Sequence, residues 1–402
     1  MRFSSHLLLL IGGCFSWFLG CQGTSTSLEI TYPMGATSIS LSPGQVPSQF
    51  SLDSIIQSVS YLQLEMNPGS AMGEISRLSF QEDHILTLDF DHNLLMLFDR
   101  KGKHLGQVGR IGRGPGEYAE FTDAAFNSAR GTIDVLSNVP KKIIRYDQTS
   151  LHYQSECSLP DGPFFSAFFP YQNQYLLTID LFDPGFEDFA YHFLRLHAET
   201  GKVQARHLPF RAFERKETFS LFRLKQGFYP IDASLSAYHW GSKTIYSFLQ
   251  DSFRPTYSFD FGAFPFVTDR LLDSEARAEL KEAGKESCCL NPLFETPNFI
   301  FGSYYFGQGR GEHFLYSKPS THLIQFSDES VINPFNGCPL WAIQSYDGDY
   351  LVSAVDPDLL VYTYEQEKAN LLPQASTQLA EFLSTLDMEG NQVLIFYQLR
   401  PF

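Results

Sequence analysis

The sequence contains few cysteines, and their spacing favours neither a disulfide framework nor a metal site. Its 402 residues include 6 Cys. Two of these lie near the N-terminus, and the other four are Cys157, Cys288, Cys289 and Cys338. The adjacent Cys288 and Cys289 have no second cysteine pair or histidine at metal-ligand spacing. Export would permit one disulfide bridge, and we interpret these four cysteines as structural or incidental.

Basic residues are also scarce compared with acidic ones. The chain has 29 Lys and Arg against 45 Asp and Glu, which gives a formal net charge of −16. Nucleic acid and anionic lipid headgroups attract positively charged protein surfaces. The charge of this chain therefore argues against both as partners.

Common catalytic motifs are missing as well. The 11 His residues include no H-x-H or H-E-x-x-H pair, which weakens a zinc-lyase hypothesis. The sequence has no G-x-S-x-G elbow, and its glycine-rich run over residues 112–117 lacks the Lys-Ser/Thr of a phosphate-binding loop. Nucleophilic catalysis therefore finds no support in the sequence, and we predict no catalytic residue.

The N-terminus has the features of an export signal. Arg2 precedes an apolar run that is too short for a comfortable membrane span and that ends at Gly20 and Cys21. This end resembles the lipobox of bacterial lipoproteins, in which the cysteine is diacylated. We predict a signal peptide over residues 1–20, lipidation at Cys21, and a lipid anchor with a flexible tether over residues 21–49. An ordinary secretory signal without lipidation is the alternative.

A motif of alternating apolar residues followed by a polar turn occurs six times. The copies span residues 95–99, 143–147, 193–196, 245–248, 323–326 and 361–364, and each follows an apolar companion segment. Periods of roughly 40 to 50 residues with short strands are typical of β-propeller blades. The pattern predicts an all-β fold, a six-bladed β-propeller over residues 50–402. We interpret the 38 Phe and 20 Tyr as packing between blades.

Two helices and a ring closure are expected beside the repeats. Residues 269–284, in the longest interval between copies, have apolar side chains at helical spacing, which predicts a short helical insertion between blades 4 and 5. This insertion is either a lid, a docking element or mere decoration. A second short helix is predicted near the C-terminus, over residues 377–386. The terminal strand at 393–397 and the early strand at 59–64 lack other partners, so we expect them to meet in one sheet or in adjacent blades.

The first blade resembles a known family. Residues 97–103 and 108–118, together with the segment 50–65, are similar to the six-bladed, NHL-like β-propeller lipoproteins of Bacteroidetes. The similarity in motif order covers roughly residues 50–400, and the specific motif is confined to the first blade. The resemblance implies a propeller fold and an envelope location, expected at the outer membrane on either its periplasmic or its surface side. It implies no agreed activity.

The glycine-rich run over residues 112–117 has a structural and a functional interpretation. Its glycines allow positive φ in a crossover between blades, and constrained loops on rigid scaffolds also carry binding residues. In a blade, the connection between the second and third strands lies on the same side of the ring as the crossover to the next blade. We therefore predict a binding face formed by Arg110, Arg113, Glu117, Tyr118, Asp89, Asp91, Asp183, Asp188, Asp356 and Asp358.

Carboxylates near one rim of the ring are candidate ligands for a metal ion. Ca²⁺ prefers oxygen ligands, and Asp89, Asp91 and Asn93 match the start of an EF-hand loop. The sequence lacks the glycine and the closing Glu of that loop, which favours a solvated turn. We expect no cofactor, with Ca²⁺ as the alternative.

Two functions are consistent with these features. The first is a noncatalytic, lipid-anchored binding or scaffold propeller that uses one face for a glycan, a peptide or an envelope protein, without a transmembrane span in the mature chain. The alternative is a metal-assisted hydrolase or lyase acting on a sugar or lactone. An aromatic-lined central channel would favour binding, whereas inward-pointing Asp, Glu or His around a metal on the ring axis would favour the enzyme.

Overall fold

A computed structural model describes residues 35–211, 227–231, 234–239, 241–264, 290–306, 310–339 and 343–402. These ranges form six sheets that are each built on four antiparallel strands. Inner strands of neighbouring sheets contact each other, so the sheets surround one axis. The all-β, six-bladed propeller predicted from the repeats is confirmed.

The first three blades follow one another along the chain after the N-terminal strands β1 (Thr37–Ser40), β2 (Phe50–Ser51) and β3 (Ile56–Gln63). Blade 1 contains β4 (Arg77–Phe80), β5 (His84–Asp89), β6 (Leu94–Asp99) and β7 (His104–Gln107). Blade 2 contains β8 (Asp123–Asn127), β9 (Thr132–Asn138), β10 (Lys141–Asp147) and β11 (Tyr153–Ser158). Blade 3 contains β12 (Ala167–Tyr171), β13 (Gln174–Thr178), β14 (Tyr191–His197) and β15 (Val203–Pro209).

The last three blades include the ring closure. Blade 4 contains β16 (Phe228–Ile231), β17 (Ser234–Ala237), β18 (Thr244–Leu249) and β19 (Ser252–Asp260). Blade 5 contains β20 (Leu290–Glu295), β21 (Phe299–Phe306), β22 (Arg310–Ser317) and β23 (Leu323–Ser327), followed by β24 (Val331–Ile332). Blade 6 contains β25 (Ile343–Asp347), β26 (Tyr350–Val355) and β27 (Val393–Leu399), with β3 as its fourth strand. The helices α1 (Pro357–Glu367) and α2 (Pro373–Leu383) connect β26 to β27.

Aromatic side chains fill the contacts between blades. Phe193 of blade 3 stacks on Phe253 of blade 4 with ring centroids 4.3 Å apart. Tyr171 meets Phe248 across the same pair of blades, edge to face, at 5.3 Å. A flat ring covers a large area of a blade face and adds favourable ring geometry to its burial. These contacts agree with our interpretation of the aromatic residues as packing between blades.

The two ends of the folded region meet in blade 6. Strand β27 pairs with β26 on one side and with β3 on the other, in register from Val393 opposite Gln63 to Leu399 opposite Ile56. The predicted closure of the ring by the early and terminal strands is thereby confirmed. The outer strand of blade 6 is β3. Because β26 and β3 both form hydrogen bonds with β27, loss of β27 would expose a sheet edge on each of them.

A segment ahead of β3 wraps around the outside of the ring. Strand β1 pairs in parallel with β19 of blade 4, and β2 pairs in parallel with β24 beyond blade 5. Between them, the N–H of Gly44 donates to Glu312 Oε1 on blade 5 at 3.0 Å. We call residues 37–51 the strap. The predicted tether over residues 21–49 was therefore too long, because residues 37–49 belong to the folded region.

The sixth copy of the repeat is a helix rather than a strand. Residues 361–364 lie in α1, which begins at Pro357. Proline presets the φ angle of a first helical turn. Leu360 and Thr363 are buried, while Tyr362 is 64% exposed. The prediction of a blade strand here was wrong, because the buried helical face outweighed the β propensity of Val, Tyr and Thr.

The fifth copy is displaced by one strand. In blades 1 to 4 the repeated motif coincides with the third strands β6, β10, β14 and β18, whereas in blade 5 Phe326 lies on the fourth strand, β23. The predicted helix over residues 269–284 lies outside the described residues. The predicted C-terminal helix is present as α2. No helix in the described ranges is long and apolar enough to cross a membrane.

Strand alternation gives the ring two different faces. The connections from first to second strand, at residues 81–83, 128–131 and 348–349, emerge at one end of the blades, and we call this end the turn face. The connections from second to third strand and the crossovers between blades emerge at the opposite end, the crossover face. The crossover face carries the loop at residues 108–122 and both helices.

Candidate functional site

The glycine-rich loop between blades 1 and 2 is closed by its own glutamate. Glu117 Oε1 accepts a hydrogen bond from Arg110 Nε at 2.7 Å, and Glu117 Oε2 accepts one from the N–H of Gly114 at 2.7 Å. The bond from Gly114, followed by that from Arg110, holds the pKa of the Glu117 carboxyl below its usual value. The loop is therefore a stable turn in which the acidic group already has partners.

The other predicted residues of this loop differ in exposure. Arg110 and Arg113 are exposed on the crossover face. Tyr118 is fully buried, and its hydroxyl donates to the carbonyl of Val108 at 3.2 Å. Burial raises the pKa of Tyr118. The two arginines thus present charge to solvent, whereas the buried Tyr118 stabilises the crossover between blades 1 and 2.

Asp89, predicted for the same face, is a buried turn residue. Its carboxylate accepts hydrogen bonds from the N–H groups of Gly73 at 2.9 Å, Asp91 at 3.1 Å and His92 at 3.0 Å. An aspartate that accepts N–H groups two and three residues ahead forms an Asx turn. Asp89 therefore fixes the connection between β5 and β6, and Asp91 lies exposed at its tip.

The remaining predicted carboxylates lie on the crossover face of blades 3 and 6. Asp183 accepts a hydrogen bond from the N–H of Gly185 at 2.8 Å, and Asp356 accepts one from Gln392 Nε2 at 2.9 Å. The predicted carboxylates Asp183, Asp188, Asp356 and Asp358 are all exposed on these two connections. Nowhere in the described ranges do three or more His, Cys, Asp or Glu residues form a group that could hold a metal ion.

A cavity of about 260 Å³ lies on the axis of the ring. Its lining comes from the innermost strands of five blades, β4, β8, β12, β16 and β25. In β4, the first residues, Arg77 and Leu78, are buried, whereas Ser79 and Phe80 are half-buried. Exposure rises in the same direction along β25. The cavity is therefore closed toward the crossover face and open toward the turn face.

A buried ion pair forms the closed end of this central cavity. Arg77 Nη2 donates to Asp123 Oδ1 and, at 2.7 Å, to the carbonyl of Ala124. Asp123 Oδ2 accepts the N–H of Phe168 at 2.9 Å, so one carboxylate links blades 1, 2 and 3. Burial raises the pKa of Asp123, and its attraction to Arg77 opposes that rise. Both charged groups are thus held by protein partners.

Aromatic rings form much of the cavity wall. The rings that line it are Phe80, Phe126, Phe168, Phe169, Phe228 and Tyr346. Several are only half-buried, so part of each ring borders open space. The polar residues Ser79, Gln81 and Ser128 also line the cavity. Apolar walls with a few polar groups are typical of ligand pockets.

A second ion pair stands at the rim, between blades 1 and 6. Arg100 Nη1 and Nη2 donate to the two carboxylate oxygens of Asp347 at 2.6 and 3.1 Å. Arg100 Nε also donates to the carbonyl of Gln81 at 2.9 Å, and the guanidinium lies 5.2 Å from the ring centre of Phe80. The side chains of Arg100 and Asp347 are 31% and 26% exposed. A bidentate pair of this kind fixes geometry as well as charge.

The ten residues predicted for the crossover face do not line the central cavity. The predicted binding residues are polar groups on loops, whereas the apolar inner strands were interpreted as core. A signal was present, because Arg77 and Asp123 occupy the first positions of consecutive inner strands, about one repeat apart. Charged residues at equivalent positions of apolar strands indicate the axis of a ring.

One side-chain relay in blade 5 has the order of a Ser-His-Asp triad. Ser303 Oγ lies 2.7 Å from His313 Nδ1, and His313 Nε2 lies 2.7 Å from Asp328 Oδ1. Ser303 and His313 are 3% and 2% exposed, and His313 stacks on Phe301. A nucleophile must reach a substrate carbonyl. Since Ser303 is buried on β21, directly opposite His313 of β22, the relay links neighbouring strands.

These features define a β-propeller of six blades with a blind, aromatic-walled cavity on its axis. The chain belongs to the family described as Domain of unknown function (DUF4934), whose model matches residues 37–398. No curated protein matches the chain. It is similar to the crystal structure of a "Putative exported protein" from Bacteroides fragilis NCTC 9343, with 18% identity and a TM-score of 0.69 over 90% of this chain and 100% of that one.

A second solved structure has the same fold at lower similarity. It is a member of the duf4221 family from Bacteroides vulgatus ATCC 8482, with 10% identity and a TM-score of 0.51 over 86% of this chain and 97% of that one. Identities this low support a shared fold. The chemistry of the cavity must be argued from the residues of this chain.

Proposed function

We propose that the protein is a noncatalytic binding propeller that takes a glycan, peptide or envelope-protein segment into its central cavity from the turn face. The observation that carries this proposal is the aromatic wall, in which half-buried rings from separate blades border one space. Aromatic side chains supply large contact area at a low cost in conformational entropy. The exposed Arg110 and Arg113 offer a separate surface for an envelope partner on the crossover face.

The charged groups of the cavity favour binding over catalysis. Asp123 is held by Arg77 and two backbone N–H groups, and Asp347 is held by Arg100. A general acid or base must exchange its proton with the substrate, which these partners oppose. Among the residues that the structure describes, no contact favours the metal-assisted hydrolase or lyase, or a Ca²⁺ site among the predicted carboxylates.

We also propose that the protein is exported and anchored by lipid at Cys21, as in the lipoproteins that its first blade resembles. Support comes from the apolar N-terminal run that ends at Gly20 and Cys21, and from the fold shared with a protein described as exported. Replacement Cys21→Ala should move the protein from the membrane fraction to the soluble fraction. Unchanged membrane retention of this variant would refute lipid anchoring.

The binding proposal is tested with one aromatic residue and a matched control. Phe126→Leu keeps an apolar side chain but removes a ring from the cavity wall, whereas Phe164→Leu makes the same change at an exposed position on the crossover face. The probes are neutral oligosaccharides and tetrapeptides, measured by calorimetry. We expect the native protein to bind one class, with affinity reduced about tenfold by Phe126→Leu and unchanged by Phe164→Leu. Absence of binding, or equal affinities in both variants, would overturn the proposal.

A further inference from the structure

A second, larger space adjoins the central cavity. It is a groove of about 430 Å³ between blades 1 and 6, lined by Ser60, Tyr61, Leu62, Ile85, Tyr350 and Phe396 together with the rim pair. Tyr350 and Phe396 are half-buried and meet edge to face, with ring centroids 6.3 Å apart. The groove therefore repeats the combination of ring faces and hydroxyls found in the central cavity.

The rim pair is the partition between the two spaces. Asp347 lines both the cavity and the groove, and Arg100, which binds it, lines the groove. Below them, Phe80 of the cavity wall contacts Phe396 of the groove, edge to face, at 5.9 Å. The partition is thus one side-chain layer thick. The side chains of Arg100 and Asp347 are partly exposed, so a ligand chain could pass over this pair from the cavity into the groove.

The charges that border the two spaces are compensated. Arg77 pairs with Asp123 at the closed end, and Arg100 pairs with Asp347 at the partition. A charged ligand would lose hydration without gaining an uncompensated partner, which is unfavourable in an enclosed site. The lining therefore favours an electrically neutral ligand.

The polar groups indicate a ligand rich in hydroxyls. The partition offers guanidinium donors and carboxylate acceptors at one place, and serine hydroxyls can both donate and accept. A pyranose ring has a face of C–H groups that suits an aromatic face and a rim of hydroxyls that suits these polar groups. A peptide strand would instead be recognised along a free sheet edge. In this groove that edge belongs to β3, which carries Ser60, Tyr61 and Leu62, whereas the rings of Tyr350 and Phe396 stand on β26 and β27, which are paired on both sides.

We infer that the cavity and the groove are two subsites of one cleft for a neutral oligosaccharide. The terminal ring enters the central cavity, the adjoining link crosses the Arg100–Asp347 pair, and the following rings lie against Tyr350 and Phe396. The cavity, at about 260 Å³, is smaller than the roughly 300–1,000 Å³ of most ligand pockets, which suits the end of a chain. This inference rests on the proposed binding function of the cavity.

The test compares chain lengths. Neutral gluco- and manno-oligosaccharides of one to four units are titrated calorimetrically into the native protein and three variants. We expect affinity to rise about tenfold between one and three units. Tyr350→Ala should abolish that increase while leaving single-unit affinity intact. Phe126→Leu should weaken every length, and Tyr362→Ala, at an exposed position of α1, should change nothing.

Each alternative result has a distinct meaning. Affinity that is independent of length in the native protein would overturn the groove subsite and leave the cavity proposal standing. Saturable, Phe126-dependent binding of tetrapeptides, with no sugar bound, would overturn the carbohydrate class alone. Absence of binding by all probes would overturn both proposals. Tyr350→Leu, which retains apolar volume, replaces Tyr350→Ala if thermal unfolding shows that the alanine variant is not folded.

Discussion

At the scale of single residues, Gly116 has the most restricted position in the glycine-rich loop. Its φ is +71°, a left-handed conformation that residues with a Cβ rarely adopt, and a Cβ there would lie 2.7 Å from Cβ of Tyr153. Gly131 has a similar φ of +64° but open space around the position of its missing Cβ. Substitutions at Gly116 and Gly131 can therefore be compared to distinguish the cost of backbone strain from the cost of steric crowding.

Replacement of these glycines by alanine should have unequal effects on stability. Gly131→Ala should lower the free energy of unfolding by about 1 kcal/mol, because only the left-handed backbone opposes it. Gly116→Ala should lower it by about 3 kcal/mol, because overpacking against Tyr153 adds to that strain. Urea unfolding of both variants measures the difference. Equal losses would mean that Tyr153 moves aside without cost.

In the glycine-rich loop, the sequence predicted the role of some residues and not of others. Composition and turn chemistry predicted a constrained crossover with glycines at positive φ, which holds for Gly116. The partners of Glu117 and the burial of Tyr118 could not be predicted, because both depend on which side chains the folded loop brings together. Arg77 and Asp123 occupy equivalent positions of consecutive inner strands, which the sequence shows, but their pairing crosses from one blade to the next and could not be predicted.

At the scale of elements, the strap joins blades 4 and 5 from outside. Phe50 stacks on Phe326 of blade 5 with centroids 4.8 Å apart and an interplanar angle of 7°. Glu312 receives hydrogen bonds from the Gly44 N–H and from the Tyr304 hydroxyl. Because β1 and β2 are short parallel strands, these side-chain contacts carry much of the attachment.

Loss of the Phe50 ring should detach the strap locally. Phe50→Ala should lower the free energy of unfolding by about 2 kcal/mol, less than for a fully buried phenylalanine because Phe50 is half-buried. Hydrogen exchange over residues 37–51 should accelerate, while exchange in blades 1 to 3 should not change. Phe164→Ala serves as an exposed control. Acceleration spread evenly over all blades would contradict a local role.

Prediction of elements succeeded where the pattern was local and periodic. The strands β6, β10, β14 and β18 follow from alternation and turn residues. The segment at 361–364 was wrongly predicted as a strand because Val, Tyr and Thr favour strands. Its helical conformation depends on the burial of Leu360 and Thr363 against other parts of the fold. The strap lies within the region predicted as a tether. Its strands are short and pair with partners far along the chain, so the local sequence does not indicate them.

At the scale of the whole molecule, the ring depends on strand β27. Removal of residues 392–402 should yield an aggregating or protease-labile product, because β26 and β3 would both lose their hydrogen-bonding neighbour. Removal of residues 400–402 should retain cooperative unfolding, since it deletes the Phe402–Phe299 contact and leaves β27 complete. Thermal melts and limited proteolysis compare the two. An unaltered melt of the longer truncation would disprove closure through β27.

The blade count could be predicted from the sequence, whereas the cavity could not. Repeat spacing indicates how many blades surround an axis. The cavity depends on residues from five blades that approach one another only after closure, and no local pattern encodes its shape.

The composite blade 6 also has a consequence for biogenesis. Strand β3 leaves the ribosome before the strands of blades 1 to 5, and β27, its partner, leaves after them. During synthesis, β3 must therefore lack its native partner while blades 1 to 5 are made, and closure of the ring has to await β27. Pairings between such distant segments form slowly, so a nascent chain of this protein would present an open sheet edge to folding factors until β27 emerges.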